Sequence, residues 1–203
     1  MKVLYLKEEK TYKPDMMGCA IMDTFSQSDD IVNIATIDVN GSIQKTVVRI
    51  KELVQQFKPD ILLARNMLGS IALFELPKTI NKIIINPFLL FEDSADSFKL
   101  IMAVKYGRIR IQNWLRHHSL EFINNSNHEL PQNVYCILTN YNLICSEGYI
   151  PFVNKFNKGN NSIMKVETSK SVEEKLKFYT QIMTHSRLYF EVNCDIPDDN
   201  IKL

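Results

Sequence analysis

Short apolar runs alternate with helix-period segments through residues 3–87, and this alternation most narrows the folds open to the chain. Val3–Leu6, Ile31–Val39, Ile61–Ala64 and Ile80–Ile85 are aliphatic, often β-branched, and each reads as a strand. Between them the apolar positions switch to a helical period. The clearest case is Ser42–Lys58, where Ile43, Val47, Ile50, Val54 and Phe57 recur on one face before Pro59 stops the helix. Met16–Phe25 and Leu68–Leu76 are the other two helices of this half, the second ended by Pro77. Strands separated by amphipathic helices imply βαβ units and a parallel sheet. Their continuous rather than alternating apolar character implies a sheet covered on both faces. The fold class expected is therefore α/β: a three-layer α/β/α sandwich around a mainly parallel sheet.

The rhythm is interrupted over Glu92–Leu130, which offers no strand and two helical stretches, Phe98–Val104 and Ile109–Phe122. A helical cap insertion over about 92–130, within a single domain spanning 1–203, accounts for this. Val134–Leu138, a short helix at Gly148–Phe156, the strand Ser162–Val166 and a closing helix at Ser171–His185 follow. The tail after Phe190 is acidic and expected to be loosely attached.

With a net charge of +1, the chain lacks the basic excess that marks a nucleic-acid-binding domain. No run approaches the ~20 apolar residues of a membrane helix, and the N-terminus carries no signal-peptide core. The expectations are a cytoplasmic protein without nucleic-acid or membrane partners. Cys19, Cys136, Cys145 and Cys194 have no metal-site spacing and read as reduced thiols. Glycine-rich phosphate loops are lacking, so no cofactor is implied.

Two stretches, KPDILLARNMLGSIALFELPKTINKIIINPF (residues 58–88) and NVYCILTNYNLICSEGYIPFVNKF (residues 133–156), resemble small single-domain bacterial esterases of the α/β-hydrolase superfamily. In that group a strand after "KPD" ends in a G-x-S-x-G turn that presents the nucleophilic serine, and a strand ending in "NP" follows. Acid and histidine come from the last two strands. Matching Leu68-Gly69 to the end of the motif puts Arg65 at its first glycine and Met67 at its serine. The acid position falls on Asn142 and the histidine position on Ser169. A thioether is no acyl nucleophile, an amide carries no charge to stabilise an imidazolium, and the loop Lys7–Lys10 sets two carboxylates where an oxyanion would form. The resemblance implies the fold, and its departures imply a pseudoenzyme with no catalytic residues and no metal.

Two roles follow for such a chain. One is an interaction module that binds another protein or a second copy of itself, through the cap or an apolar patch at Phe88–Phe91. The other is a binder of a small apolar ligand in a retained pocket lined by Met67, Phe88 and Trp114, with Arg65 at the ligand-binding edge of the sheet. Arg65 either binds an anion there or pairs with Glu8 or Glu9 and fills the pocket. An active esterase with an unrecognised constellation is the remaining alternative. None of His117, His118, His128 or His185 is placed by sequence to serve as its base, and Ser70 and Cys145 are poor nucleophile candidates.

Overall fold

A computed structural model describes residues 1–9, 15–26, 29–39, 42–89, 109–124, 133–139, 162–166 and 172–194. In chain order these form β1 (Lys2–Glu8), α1 (Met16–Phe25), β2 (Ile31–Ile37), α2 (Ile43–Phe57), β3 (Ile61–Arg65), α3 (Asn66–Glu75), β4 (Asn81–Ile85), α4 (Ile109–Asn124), β5 (Val134–Thr139), β6 (Ser162–Val166) and α5 (Val172–Cys194). The expected helices at Phe98–Val104 and Gly148–Phe156 and the tail beyond Cys194 lie outside the described residues. So do Asn142, Cys145 and Ser169.

The six strands form one parallel sheet in the order β2-β1-β3-β4-β5-β6. Because successive strand residues point to opposite faces, each strand feeds two cores. Leu4 and Leu6 of β1, Leu62 and Ala64 of β3, Ile84 of β4 and Cys136 of β5 face one side. They meet α2, α3 and α4 there through residues such as Ile50, Leu68, Ile71 and Leu115. Val3 and Tyr5, Ile61 and Leu63, Ile83 and Ile85, and Tyr135 and Ile137 face the other side, where α1 and α5 cover them with Ile21, Phe25, Ile182, Met183 and Phe190. The three-layer α/β/α sandwich follows directly.

Topology explains which helix lies where. The chain steps outward from β1 to β2, then returns past β1 to β3 and continues to β4 and β5. With right-handed crossovers, reversing the direction of travel moves the connecting helix to the opposite face. Hence α1 lies on one face and α2, α3 and α4 lie on the other. The reversal also separates the connections leaving the carboxyl ends of β1 and β3, which opens a crevice between those two strands.

The described part of the Glu92–Leu130 segment is α4, and it belongs to the sheet-covering layer: Ile111 and Leu115 are buried in the same core as α2 and α3. The closing helix runs nine residues past the expected His185. Beyond Met183 its inner face continues through Ser186 and Phe190, both buried. Arg187 reaches back to Asp30 at 3.1 Å, donates to the Thr24 carbonyl at 3.2 Å and lies over the Phe25 ring. Among the described residues no helix is long and apolar enough to cross a membrane.

One buried charge stands out. Lys82 of β4 is 0% exposed, and its Nζ donates to the Pro77 carbonyl at 2.7 Å. Burial lowers its pKa from 10.5 to about 8. Between those values the unfolded chain holds a proton that the folded chain has released, so stability rises as pH goes from 8 to 10.5, and below pH 8 the full cost is present. Replacing Lys82 with methionine removes this desolvation cost together with the Nζ bond to the Pro77 carbonyl, so its expected mark is loss of the pH dependence between 8 and 10.5. Denaturant unfolding at pH 7, 9 and 10.5 checks this: the rise with pH should be present in the wild type and missing in Lys82→Met.

Candidate functional site

The crevice at the reversal of strand order is lined by the end of β1 (Tyr5, Leu6, Lys7, Glu8), by Asp15 before α1, and by Arg65 and Asn66 at the β3–α3 junction. It holds about 340 Å³, counting space open to solvent.

The β3–α3 turn is the sharpest feature of the site. β3 ends at Arg65, α3 begins at Asn66, and Asn66 has φ of +51°. Left-handed backbone at a strand–helix junction is what a nucleophile elbow requires, and asparagine is among the few residues that adopt it readily. The apex is thus Asn66, one residue before the position the motif alignment selects. Met67 is 1% exposed and packs in the core with Leu68 and Ile71. Gly69 does serve close packing: a Cβ there would lie 3.2 Å from Ile84 Cγ2 and 3.4 Å from the Ala64 carbonyl oxygen.

Ser70 is fully buried and braces the turn. Its hydroxyl donates to the Phe88 carbonyl at 2.7 Å, with the Asn66 carbonyl at 3.2 Å. The Phe88 N–H also points to the Asn66 carbonyl, at 3.4 Å. Ser70 is therefore a structural hydroxyl. Phe88 lies half-buried against the core and Leu89 is 0% exposed, so the described half of the Phe88–Phe91 stretch presents little apolar surface.

Trp114 lies elsewhere. Its indole nitrogen is 3.4 Å from Glu75 Oε1, at the far end of α3 from Asn66, and ten helical residues span roughly 14 Å. His118 joins it there, stacked on Phe74 and 3.6 Å from Glu75. Burial lowers the His118 pKa, while the Glu75 carboxylate raises it. His117 is exposed beside Glu121, and His185 is exposed on α5. Of the four residues expected to line one pocket, Arg65 is in the crevice, Met67 is beneath the turn, Phe88 braces it, and Trp114 is at the opposite edge of the sheet. Among the described residues no histidine approaches Asn66.

Around the crevice the polar groups form a chain. Lys7 Nζ lies 3.4 Å from Asp15 Oδ2, and Asp15 Oδ1 accepts from the Gly18 N–H at 3.0 Å, capping α1. Gly18 makes room for this, since a Cβ there would come within 2.8 Å of the carboxylate. The Tyr5 hydroxyl donates to Asp15 at 3.3 Å and faces the Arg65 guanidinium. Burial pushes the Tyr5 phenol above its usual range, Arg65 pulls it back, and Asp15 adds to the rise. Arg65 forms no ion pair with Glu8 or Glu9 among the described residues. Its Nε is buried with no hydrogen-bond partner, which costs about 1–3 kcal/mol. Sequence marked Arg65 correctly as an edge residue. It missed Asn66, whose signal was the one residue at the junction tolerant of positive φ, and it missed Tyr5 and Asp15, which only strand pairing and helix capping bring together.

The fold is that of the α/β hydrolases. The esterase domain of a Rhodothermus marinus protein superimposes with a TM-score of 0.58 at 11% identity, covering 92% of this chain and 86% of that one. An S-formylglutathione hydrolase from Agrobacterium tumefaciens gives 0.55 at 13% identity, covering 94% and 83%. A protein from Xanthomonas campestris pv. campestris assigned to the alpha/beta hydrolase superfamily gives 0.51 at 11% identity, covering 96% and 99%. No family profile and no curated protein matches the chain in sequence.

A guanidinium held with a buried, unmet donor weakens the empty protein. Arg65→Met is expected to keep or raise the melting temperature, by ~2–4 °C if about 1 kcal/mol is recovered. Thermal unfolding followed by circular dichroism reads this directly, and a fall in melting temperature instead would make Arg65 a structural strut.

Proposed function

We propose that this chain is a non-catalytic α/β-hydrolase-like protein that holds a small ligand in the crevice between the carboxyl ends of β1 and β3. The observation carrying this reading is Asn66 at the apex of the strand–helix turn. A carboxamide there holds its N–H protons too tightly for a general base to remove, and its delocalised nitrogen lone pair is too unreactive to attack an acyl carbon. The described histidines support the same reading, since His117 and His118 lie on α4, with His118 beside Glu75 at the far end of α3, and His185 is exposed on α5. The sequence adds Asn142 and Ser169 where the acid and histidine of an esterase would stand. Ligand binding is favoured over a purely structural role because the crevice lies at the topological switch point, where open α/β sheets take their ligands, and because its lining is polar and charged.

Purified protein assayed with p-nitrophenyl acetate and p-nitrophenyl butyrate should show no saturable turnover. Asn66→Ala should match the wild type, and Asn66→Ser should gain nothing, because a hydroxyl without a base stays a weak nucleophile. Saturable wild-type turnover that Asn66→Ala abolishes would establish an active esterase and end the non-catalytic reading.

A further inference from the structure

Arg65 is held in an unusual way for a surface arginine. It closes β3, a central strand, and its side chain is half-buried in the crevice. Carboxylates are near, yet Asp15 is occupied by Lys7, Tyr5 and the Gly18 N–H. Arg65 faces the Tyr5 hydroxyl and leaves Nε–H buried without an acceptor. A guanidinium offers Nε–H and one Nη–H as parallel donors along one edge, spaced to match the two oxygens of a carboxylate.

We propose that the crevice is a binding site for small monocarboxylates, with the Arg65 fork receiving the carboxylate edge-on and Asn66 beside it; this rests on the non-catalytic reading of the same crevice. The guanidinium reaches the ligand by a rotation of its side chain, and the incoming oxygens supply the acceptor that Nε lacks. Charge selects the ligand class. Two cations, Lys7 and Arg65, line the crevice with two carboxylates, Glu8 and Asp15. Lys7 already offsets Asp15. These four charges cancel, so a single negative charge on Arg65 meets less repulsion from Glu8 and Asp15 than the two charges of a phosphate dianion would. The capped N-terminus of α1 is not the anion site, because Asp15 occupies it.

The test uses the full chain labelled with 15N, titrated at constant ionic strength with acetate, butyrate, neutral acetamide and inorganic phosphate. The arginine Nε–H signals are followed, and that of Arg65 is identified by its loss in Arg65→Lys. Expected is a saturable shift of this signal with acetate or butyrate and none with acetamide. Phosphate should bind at least ~10-fold more weakly. Isothermal titration of Arg65→Lys, which keeps the charge but loses the fork, should show at least ~10-fold weaker carboxylate binding with the melting temperature retained. Arg65→Gln serves as a second variant should Arg65→Lys unfold. The assignment is overturned if no carboxylate gives a saturable shift, if phosphate binds as tightly, or if both variants bind carboxylate like the wild type. The two readings fail separately. Ester turnover lost in Asn66→Ala removes the non-catalytic reading and this site with it, whereas absent turnover with absent carboxylate binding removes the carboxylate assignment alone.

Discussion

A parallel strand pair cannot be joined by a tight turn, so every connection in this sheet must cross a face, and it must do so with one hand. That constraint organises the molecule. The step from β1 to β2 and the return to β3 send α1 to one side and α2 to the other. The same reversal parts the chain at the carboxyl ends of β1 and β3. Every polar group of the crevice is there for this reason: Tyr5, Lys7 and Glu8 because they end β1, Asp15 because it starts the helix that leaves β1, and Arg65 and Asn66 because they end β3 and begin α3. The site is a product of chain direction before it is a product of side-chain chemistry.

The two ends of α3 differ in character. At its start the Asn66 carbonyl is gripped by Ser70 and the Phe88 N–H, which pins the left-handed apex irrespective of what side chain stands on it. At its end Glu75 gathers Trp114, His118 and Lys51. The imidazole and the elbow are thus held apart by the length of a rigid helix. No rotamer change brings them together.

Most elements were legible in the sequence because their burial is one-dimensional. A strand covered on both faces is apolar throughout, and a helix covered on one face repeats at its own period. The elbow was legible in place but not in register. Gly69 attracts the motif's final glycine, and its smallness is genuinely used, but against Ile84 and Ala64 in helix-on-sheet packing. Backbone preference would have decided correctly, since asparagine accepts positive φ and methionine resists it. The grouping of Trp114 with Arg65 failed because an amphipathic pattern fixes which residues of α4 are buried but not where along the sheet they land. The length of α5 was hidden by Ser186 and Arg187, two polar residues on an apolar face. Their partners, the Ile182 carbonyl and Asp30, are visible only in three dimensions.

The clasp between α5 and the start of the chain has a consequence in time. The Arg187 bond to Thr24 spans 163 residues. During synthesis at roughly 5–20 residues per second, Thr24 is made about 8–33 s before Arg187. Through that interval Ile21 and Phe25 have β1 and the later central strands to lean on, but not Ile182, Met183 and Phe190, which complete their side of the core. The face carrying α2, α3 and α4 can close early, because its parts arrive in order. The α1 face waits for the last helix, and in the nascent chain it is the apolar surface that a chaperone would have most reason to shelter.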